Sequence, residues 1–399
     1  MKIIISTHRL VFFGLCAIGL LVGAWSLYHF FFCTEKKLVP GTIVILNGTS
    51  SAGKTSILQE LQKIYDDPCI VNLDSFYKEY KATHPRPKSM TKDERDAYNN
   101  QMLDVMYVHT AEIASKGQNV FVDTVQFDDN YQHFCSLLDR KNTIKIAVYC
   151  PLDVIAAHVE KRTKEGDPRD LHLPVGQFSN MYKVQESPHE PVVDTIATSR
   201  IKPVLQLAKD ARRQRGKEML AQKKITQKEF DEGVAEVDQL TETFAKQWKL
   251  DERAEITIVT KNPWDLVVNS GVHSPAELAH QIAAYVEKRV PDFKKRAKCT
   301  DVVAGKKRAS CTVDSKLYDR YVGNYRLKED FILAITKENN QLFLQATGQK
   351  KYDLTSESET TFFNRIEQFA IAFVKDKRGD FSQLILHQGG KDTPAEKMG

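Results

Sequence analysis

The sequence predicts an α/β chain: a parallel sheet covered by helices on both faces, then a small antiparallel β-barrel. Three observations predict it. Short apolar runs alternate with helical patterns between residues 42 and 163. A Gly-Lys-Thr loop separates the first of these runs from the first helix. From residue 317 the pattern changes to closely spaced short strands with no helix between them.

Thr42-Ile43-Val44-Ile45-Leu46-Asn47 is a short β-branched run, as a buried parallel strand requires. Gly48-Thr49-Ser50-Ser51-Ala52-Gly53-Lys54-Thr55 follows and fits the phosphate-loop pattern G-x-x-x-x-G-K-[ST] at every fixed position. Backbone N–H groups of such a loop wrap nucleotide phosphates, and its glycines let the chain approach them without a Cβ in the way. Lys54 is suited to the β- and γ-phosphates and the Thr55 hydroxyl to Mg²⁺. The expected nucleotide-binding set is Gly48, Thr49, Ser50, Ser51, Ala52, Gly53, Lys54, Thr55 and Ser56, with ATP and Mg²⁺ as ligands. In the segment after the loop, apolar residues 57, 58, 61, 64 and 65 share one helical face. The N-terminus of that helix adds its positive end to the same anion site. A Gly/Ser turn that binds nothing has no need of Lys54 and Thr55 beside its second glycine.

The alternation continues. Cys69–Leu73 reads as a strand ending at Asp74, Lys92–Ser115 as a helix, and Asn119–Val122 as a strand ending at Asp123. Thr143–Tyr149 is a further strand and Leu152–Thr163 a helix. Ligands of parallel sheets bind at the carboxyl ends of strands, where Asp74, Asp123 and the loop all fall. Ile201–Leu250 is rich in Lys, Glu, Gln and Ala and predicts a helical hairpin, with Thr226–Glu229 as a capping box. Its charge reads as a solvated face. Trp264–Asn269 is the expected last core strand, and Ser274-Pro275-Ala276-Glu277 opens a helix that runs to about Arg289.

The organisation expected is an N-terminal anchor over 1–40, a catalytic domain over 41–290 with an insertion at about 184–262, a basic linker over 291–316, and a β-barrel domain over 317–399. Strands are expected at 321–327, 331–336, 341–346, 361–363, 368–373 and 382–387. Leu10–Cys33 is 24 residues without Asp, Glu, Lys or Arg. As a helix it spans roughly 36 Å, enough to cross a bilayer. We read it as a single-pass anchor, with a cleaved signal as the alternative. The net charge of +5 does not argue for a nucleic-acid partner.

Of the seven cysteines, Cys69, Cys135 and Cys150 sit in apolar stretches and read as buried hydrophobes. Cys299 and Cys311 bracket a polar stretch and could close a loop in an oxidising compartment. An ATP-using domain favours the cytosolic side and reduced thiols.

Residues 41–289 resemble the chloramphenicol phosphotransferase-like family of P-loop kinases. The likeness rests on Ile43–Thr55, Leu73-Asp74-Ser75-Phe76, Val120–Asp123, the region of Arg162 and Gly166-Asp167-Pro168-Arg169, and Trp264–Ser270 with Ser274–Ala279. The resemblance implies transfer of the ATP γ-phosphate to a hydroxyl of a small molecule. It places the catalytic base on Asp74 and a metal or acceptor contact on Asp123, beside the Thr55 metal ligand. It also implies that Arg162 and Arg169 close over the phosphates near Lys54. The polar insert Lys88–Asp96 and Asn269 depart from the family pattern, so the acceptor need not be chloramphenicol. Residues 317–398 resemble the lipocalin-like β-domain appended to β-lactamase-type serine hydrolases, on Tyr321–Tyr325 and Phe369–His387. That likeness implies a binding or accessory role. Two alternatives accompany the small-molecule kinase. One is a kinase for a protein or nucleotide-sugar, recruited through the hairpin or barrel. The other is a membrane scaffold that binds ATP without turnover.

Overall fold

The computed structural model describes residues 39–87, 90–126, 133, 136–138, 142–164, 170–297, 299, 302–303, 306–308, 310–349 and 351–398. The run 10–33, read as an anchor, lies outside the described residues. Among those described, no helix is long and apolar enough to cross a membrane. Gly41–Gly399 forms one compact unit.

The first sheet contains β1 (Ile43–Asn47), β2 (Cys69–Asn72), β3 (Val120–Thr124), β4 (Thr143–Tyr149) and β8 (Leu266–Asn269). Their order is β2-β3-β1-β4-β8, with every pair parallel. Alternation within β1 builds two cores. Val44 and Leu46 face a core with Leu58, Leu61, Ile282 and Val286 from the helices Lys54–Tyr65 and Pro275–Arg289. Ile43 and Ile45 face another with Met106, Tyr107 and Ile113 from the helix Lys92–Ser115. Both faces are thus covered, which is why these strands read as continuous apolar runs.

The insertion holds the expected hairpin, as helices Thr198–Ala221 and Gln227–Gln247. It stands on a feature that the pattern did not announce, a three-stranded antiparallel sheet. This sheet comprises β5 (Tyr182–Val184), β6 (Val192–Ala197) and β7 (Glu255–Thr260), in the order β5-β7-β6. Its strands are short and much of β6 is solvated, so hydropathy gives little signal.

After a two-residue ribbon of β9 (Val302–Val303) and β10 (Lys306–Lys307) comes the second domain-sized sheet. Its strands are β11 (Gly323–Lys328), β12 (Phe331–Glu338), β13 (Gln341–Ala346), β14 (Lys351–Asp353), β15 (Thr355–Ser356), β16 (Thr361–Asn364), β17 (Phe369–Lys375), β18 (Phe381–Gln388) and β19 (Lys391–Lys397). The order is β14-β13-β12-β11-β19-β18-β17-β16-β15. Its two ends, β14 and β15, are separated in the chain by Leu354 alone, so one bent run closes the sheet on itself. The expected six strands are present. The missed ones are the short closing pair and β19, whose polar residues and Pro394 do not read as strand. Tyr321, Tyr325, Phe362, Phe373 and Phe381 fill the interior.

The barrel does not hang from a free linker. The turn after β16 meets the segments that flank β2, the edge strand of the parallel sheet. Arg365 pairs with Asp67 just before β2, and the Ser75 hydroxyl just after it donates to the Ile366 carbonyl at 2.7 Å. Ile366 itself is fully buried in the core under β1.

Residues 291–316, expected as a basic linker, are in part built into the fold. Phe293 and Ala297 are fully buried, and the Asn119 amide reaches the Phe293 carbonyl, so this stretch packs against the sheet. Arg308 is buried and pairs with Glu357. Cys299 bonds not to Cys311 but to Cys69, the first residue of β2. The backbone explains the choice: Cys299 N–H donates to the Asp67 carbonyl at 3.0 Å, which lays the two cysteines side by side. Cys311 is free and exposed; Cys150 is free and buried, its thiol pushed up to about 11 by burial.

Candidate active site

The loop 48–55 leaves β1 and enters the helix Lys54–Tyr65. Gly48 has no room for a side chain: a Cβ there would lie 2.5 Å from the Val148 carbonyl oxygen of β4. Gly53 has φ +89°, and Ser51 also lies in the left-handed region at φ 65°. Successive turns of this kind aim backbone N–H groups into one concavity. Thr49 Oγ1 and Ser51 Oγ are buried and have no hydrogen-bond partner among the described residues. Buried hydroxyls normally find one, so these orphaned atoms fit a loop shaped for a polyanion.

Lys54 Nζ donates to the carbonyls of Gly48 (2.8 Å) and Thr49 (3.0 Å) and stands 3.6 Å from Asp123 Oδ1. The Thr55 hydroxyl is 3.4 Å from Asp123 Oδ2, and Asn72 Nδ2 donates to the same oxygen at 2.9 Å. Asp123 is therefore a buried carboxylate held against both the lysine and the threonine of the loop. Register produces this: Leu46 of β1 lies opposite Asp123 of β3, which lies opposite Asn72 of β2.

Asp74 comes two residues after Asn72, in the first turn of the helix Leu73–Thr83, whose N-cap is Asn72 accepting from Ser75 N–H. It is exposed. Strand spacing puts its strand about 10 Å from that of the loop, with Asp123 on the strand between. Loop, buried carboxylate and exposed carboxylate thus occupy three adjacent strand ends.

Residues 41–209 match the family described as chloramphenicol phosphotransferase-like protein. Together with the loop geometry, the match marks them as a kinase-type phosphotransferase domain that binds nucleotide. The match stops inside the insertion; β8 and the helix Pro275–Arg289, which lie beyond it, complete the sheet and one of its faces. Among solved structures, the chain is similar to the APS kinase of Mycobacterium tuberculosis, solved with AMPPNP and APS. That likeness is 13% identity over 62% of this chain and 98% of that one, with a TM-score of 0.32. It is also similar to shikimate kinase from Bacteroides thetaiotaomicron, at 14% identity over 62% and 98%, with a TM-score of 0.29. Residues 307–397 match a domain of unknown function, DUF3471. An 83-residue stretch is 34% identical to penicillin-binding protein 4* of Bacillus subtilis, covering 21% of this chain and 18% of that protein.

Of the two arginines expected in this kinase-type site, Arg162 is half-buried in the last turn of the helix Leu152–Lys164. It stands one turn beyond His158, whose Nδ1 is 2.9 Å from the Ser51 carbonyl, so that helix face runs past the loop. Arg169 lies outside the described residues, as does the rest of Gly166–Arg169. Three contacts were invisible in the sequence. Gln177 Oε1 accepts from Ser50 N–H at 2.7 Å, Ser270 Oγ donates to the Ala52 carbonyl at 2.8 Å, and Asn47 exchanges two hydrogen bonds with the Gln126 backbone. These residues come from segments far apart in the chain, and only Asn47 borders the motif.

Proposed function

We propose that this protein transfers the γ-phosphate of ATP to a hydroxyl of a small molecule, with Asp74 as general base. The observation that carries this reading is the placement of loop, Asp123 and Asp74 on adjacent strand ends. The acceptor oxygen attacks the γ-phosphorus, a new O–P bond forms, and the bond to the β-bridging oxygen breaks. ADP leaves with that electron pair. The hydroxyl proton passes to the Asp74 carboxylate. Lys54 and the loop N–H groups balance charge that builds on the phosphates. Thr55 and Asp123 would hold Mg²⁺, which supplies further charge neutralisation. Arg162 and Arg169 would contribute from the side of the helix Leu152–Lys164.

The apolar run 10–33 supports a membrane-anchored form of the enzyme. Carbonate extraction of membranes from cells making the full chain tests that part: release into the supernatant would refute it.

The decisive assay incubates the full chain with ATP labelled at the γ-phosphate, Mg²⁺ and a fractionated metabolite extract. Label should move to a small molecule, and both Lys54→Ala and Asp74→Asn should abolish the transfer. Only Lys54→Ala should also lose ATP binding. Transfer undiminished in Asp74→Asn would remove Asp74 as the base, and no transfer from wild type would count against the kinase reading.

A further inference from the structure

Asp74 and Lys81 lie at i and i+7 of the helix Leu73–Thr83, on one face and roughly 10 Å apart along the axis. After that helix the chain passes through Pro85-Arg86-Pro87 and re-enters helix at Lys92. Lys81, Arg86, Pro87, Met90 and Arg95 line a cleft of about 310 Å³ between the two helices. The flanking prolines restrict the backbone at Arg86. Its Nη1 also donates to the Tyr77 hydroxyl at 3.5 Å, and Tyr77 is one turn from Asp74.

None of these three cations forms an ion pair with a carboxylate among the described residues. Two of the nearby charges are engaged elsewhere: Glu94 accepts from the Thr91 N–H and hydroxyl in a capping box, and Lys78 pairs with Glu367 of the barrel. Three like charges around one cleft repel one another unless an anion shares the space. Two guanidinium groups and an ammonium suit an oxyanion, because arginine presents donors that match phosphate or carboxylate in pairs.

We propose that this cleft binds an oxyanion, a phosphate or carboxylate carried by the same acceptor molecule whose hydroxyl is activated at Asp74. The acceptor class is then a hydroxylated anion with its charge about 10 Å from the reacting oxygen. This assignment of class rests on the kinase reading; the anion site itself does not.

The test is equilibrium dialysis of the full chain against labelled inorganic phosphate, with the phosphate loop saturated by MgAMPPNP. About one saturable equivalent is expected. Arg86→Gln and Arg95→Gln should each weaken binding by about tenfold, with thermal melting unchanged, and Asp74→Asn should bind as wild type. Absence of saturable binding, or variants that bind like wild type, would overturn the site. A second arm splits the metabolite extract by anion exchange before labelling. Transfer confined to the anionic fraction supports the class, and transfer to the neutral fraction refutes it. Phosphate binding as expected with no transfer to either fraction would leave the anion site standing and remove the kinase reading.

Discussion

Arg365 and Asp67, 298 positions apart, meet in a buried two-point pair, Nε to Oδ1 at 2.6 Å and Nη2 to Oδ2 at 2.9 Å. Nη2 also donates to the Arg308 and Cys299 carbonyls at 2.8 and 3.3 Å, so one guanidinium ties the barrel, the connecting segment and the approach to β2. The barrel is thereby built against the edge of the sheet that carries the site.

Removing one partner of such a pair strands the other charge in the interior. Arg365→Ala should cost about 3–5 kcal/mol, read from urea denaturation. Arg365→Lys should recover only part, because an ammonium cannot form the paired fork. Replacing both residues by apolar ones, Arg365→Met with Asp67→Leu, should cost less than Arg365→Ala, the remaining cost including the strain of Leu at the left-handed position 67 (φ 63°). An unchanged midpoint in Arg365→Ala would mean that the two sheets are not coupled at this point.

The Cys69–Cys299 disulfide closes a loop across 230 positions. Cross-links over long loops constrain the unfolded chain, so reduction, or Cys69→Ala with Cys299→Ala, should lower stability by roughly 2–5 kcal/mol. A non-reducing digest should yield the Cys69 and Cys299 peptides linked. In the native protein iodoacetamide should modify Cys311 and spare Cys150, whose buried thiol stays protonated. A linked Cys299–Cys311 peptide would contradict the pairing.

The parts of the fold that were readable from sequence are those whose cause is local. β1 was evident because both its faces are buried, the capping boxes because Ser or Thr and Glu stand three apart, and the loop because Gly, Lys and Thr hold fixed offsets. What escaped depends on partners distant in sequence. Cys69 gives no sign that Cys299 lies beside it, since that follows from a backbone hydrogen bond to Asp67. The exposed β6 and the Pro-containing β19 gain their strand identity from neighbours. Of the candidate residues, Lys54 and Thr55 stand out in the sequence by the loop motif, and Asp74 and Asp123 because each follows a strand pattern. Gln177 and His158 do not, because nothing in a helix marks which residue reaches the loop.

The two loop glycines should fail differently. Gly48→Ala drives a Cβ to 2.5 Å from a backbone oxygen of β4, which cannot swing aside, and should cost roughly 1–3 kcal/mol or more. Gly53→Ala has only the Ser270 Cβ within 4 Å, at 3.9 Å, and bears mainly the strain of φ +89°, about 1–2 kcal/mol. Melting curves should rank Gly48→Ala as the worse. The reverse order would mean that β4 yields at Val148.

Gln177 occupies the Ser50 N–H, a donor of the loop proposed to hold the phosphates. A nucleotide using this donor must first displace the amide. Gln177→Ala should therefore tighten MgATP binding by about two- to tenfold, the worth of one neutral hydrogen bond. Calorimetric titration reads this directly. Weaker binding in the variant would show instead that Gln177 supports the loop or contacts the nucleotide.

Asp353, at the end of β14, gives the pH test. Burial raises its pKa, aided by Glu60 and Asp67; a hydrogen bond to its own backbone and the Lys63 charge work against the rise. Its Oδ1 has no hydrogen-bond partner among the described residues. An acid whose folded pKa is raised holds its proton more tightly when folded. Stability therefore falls as pH climbs from the unfolded value, near 4, through the folded one, and the full penalty applies above it. Asp353→Asn removes the ionisation and keeps the shape. It should stabilise the protein at pH 7 and do little at pH 4 or below. Urea midpoints of the variant and wild type across that range test the sign: a gap that widens with pH supports the buried carboxylate, and one that stays constant or narrows refutes it.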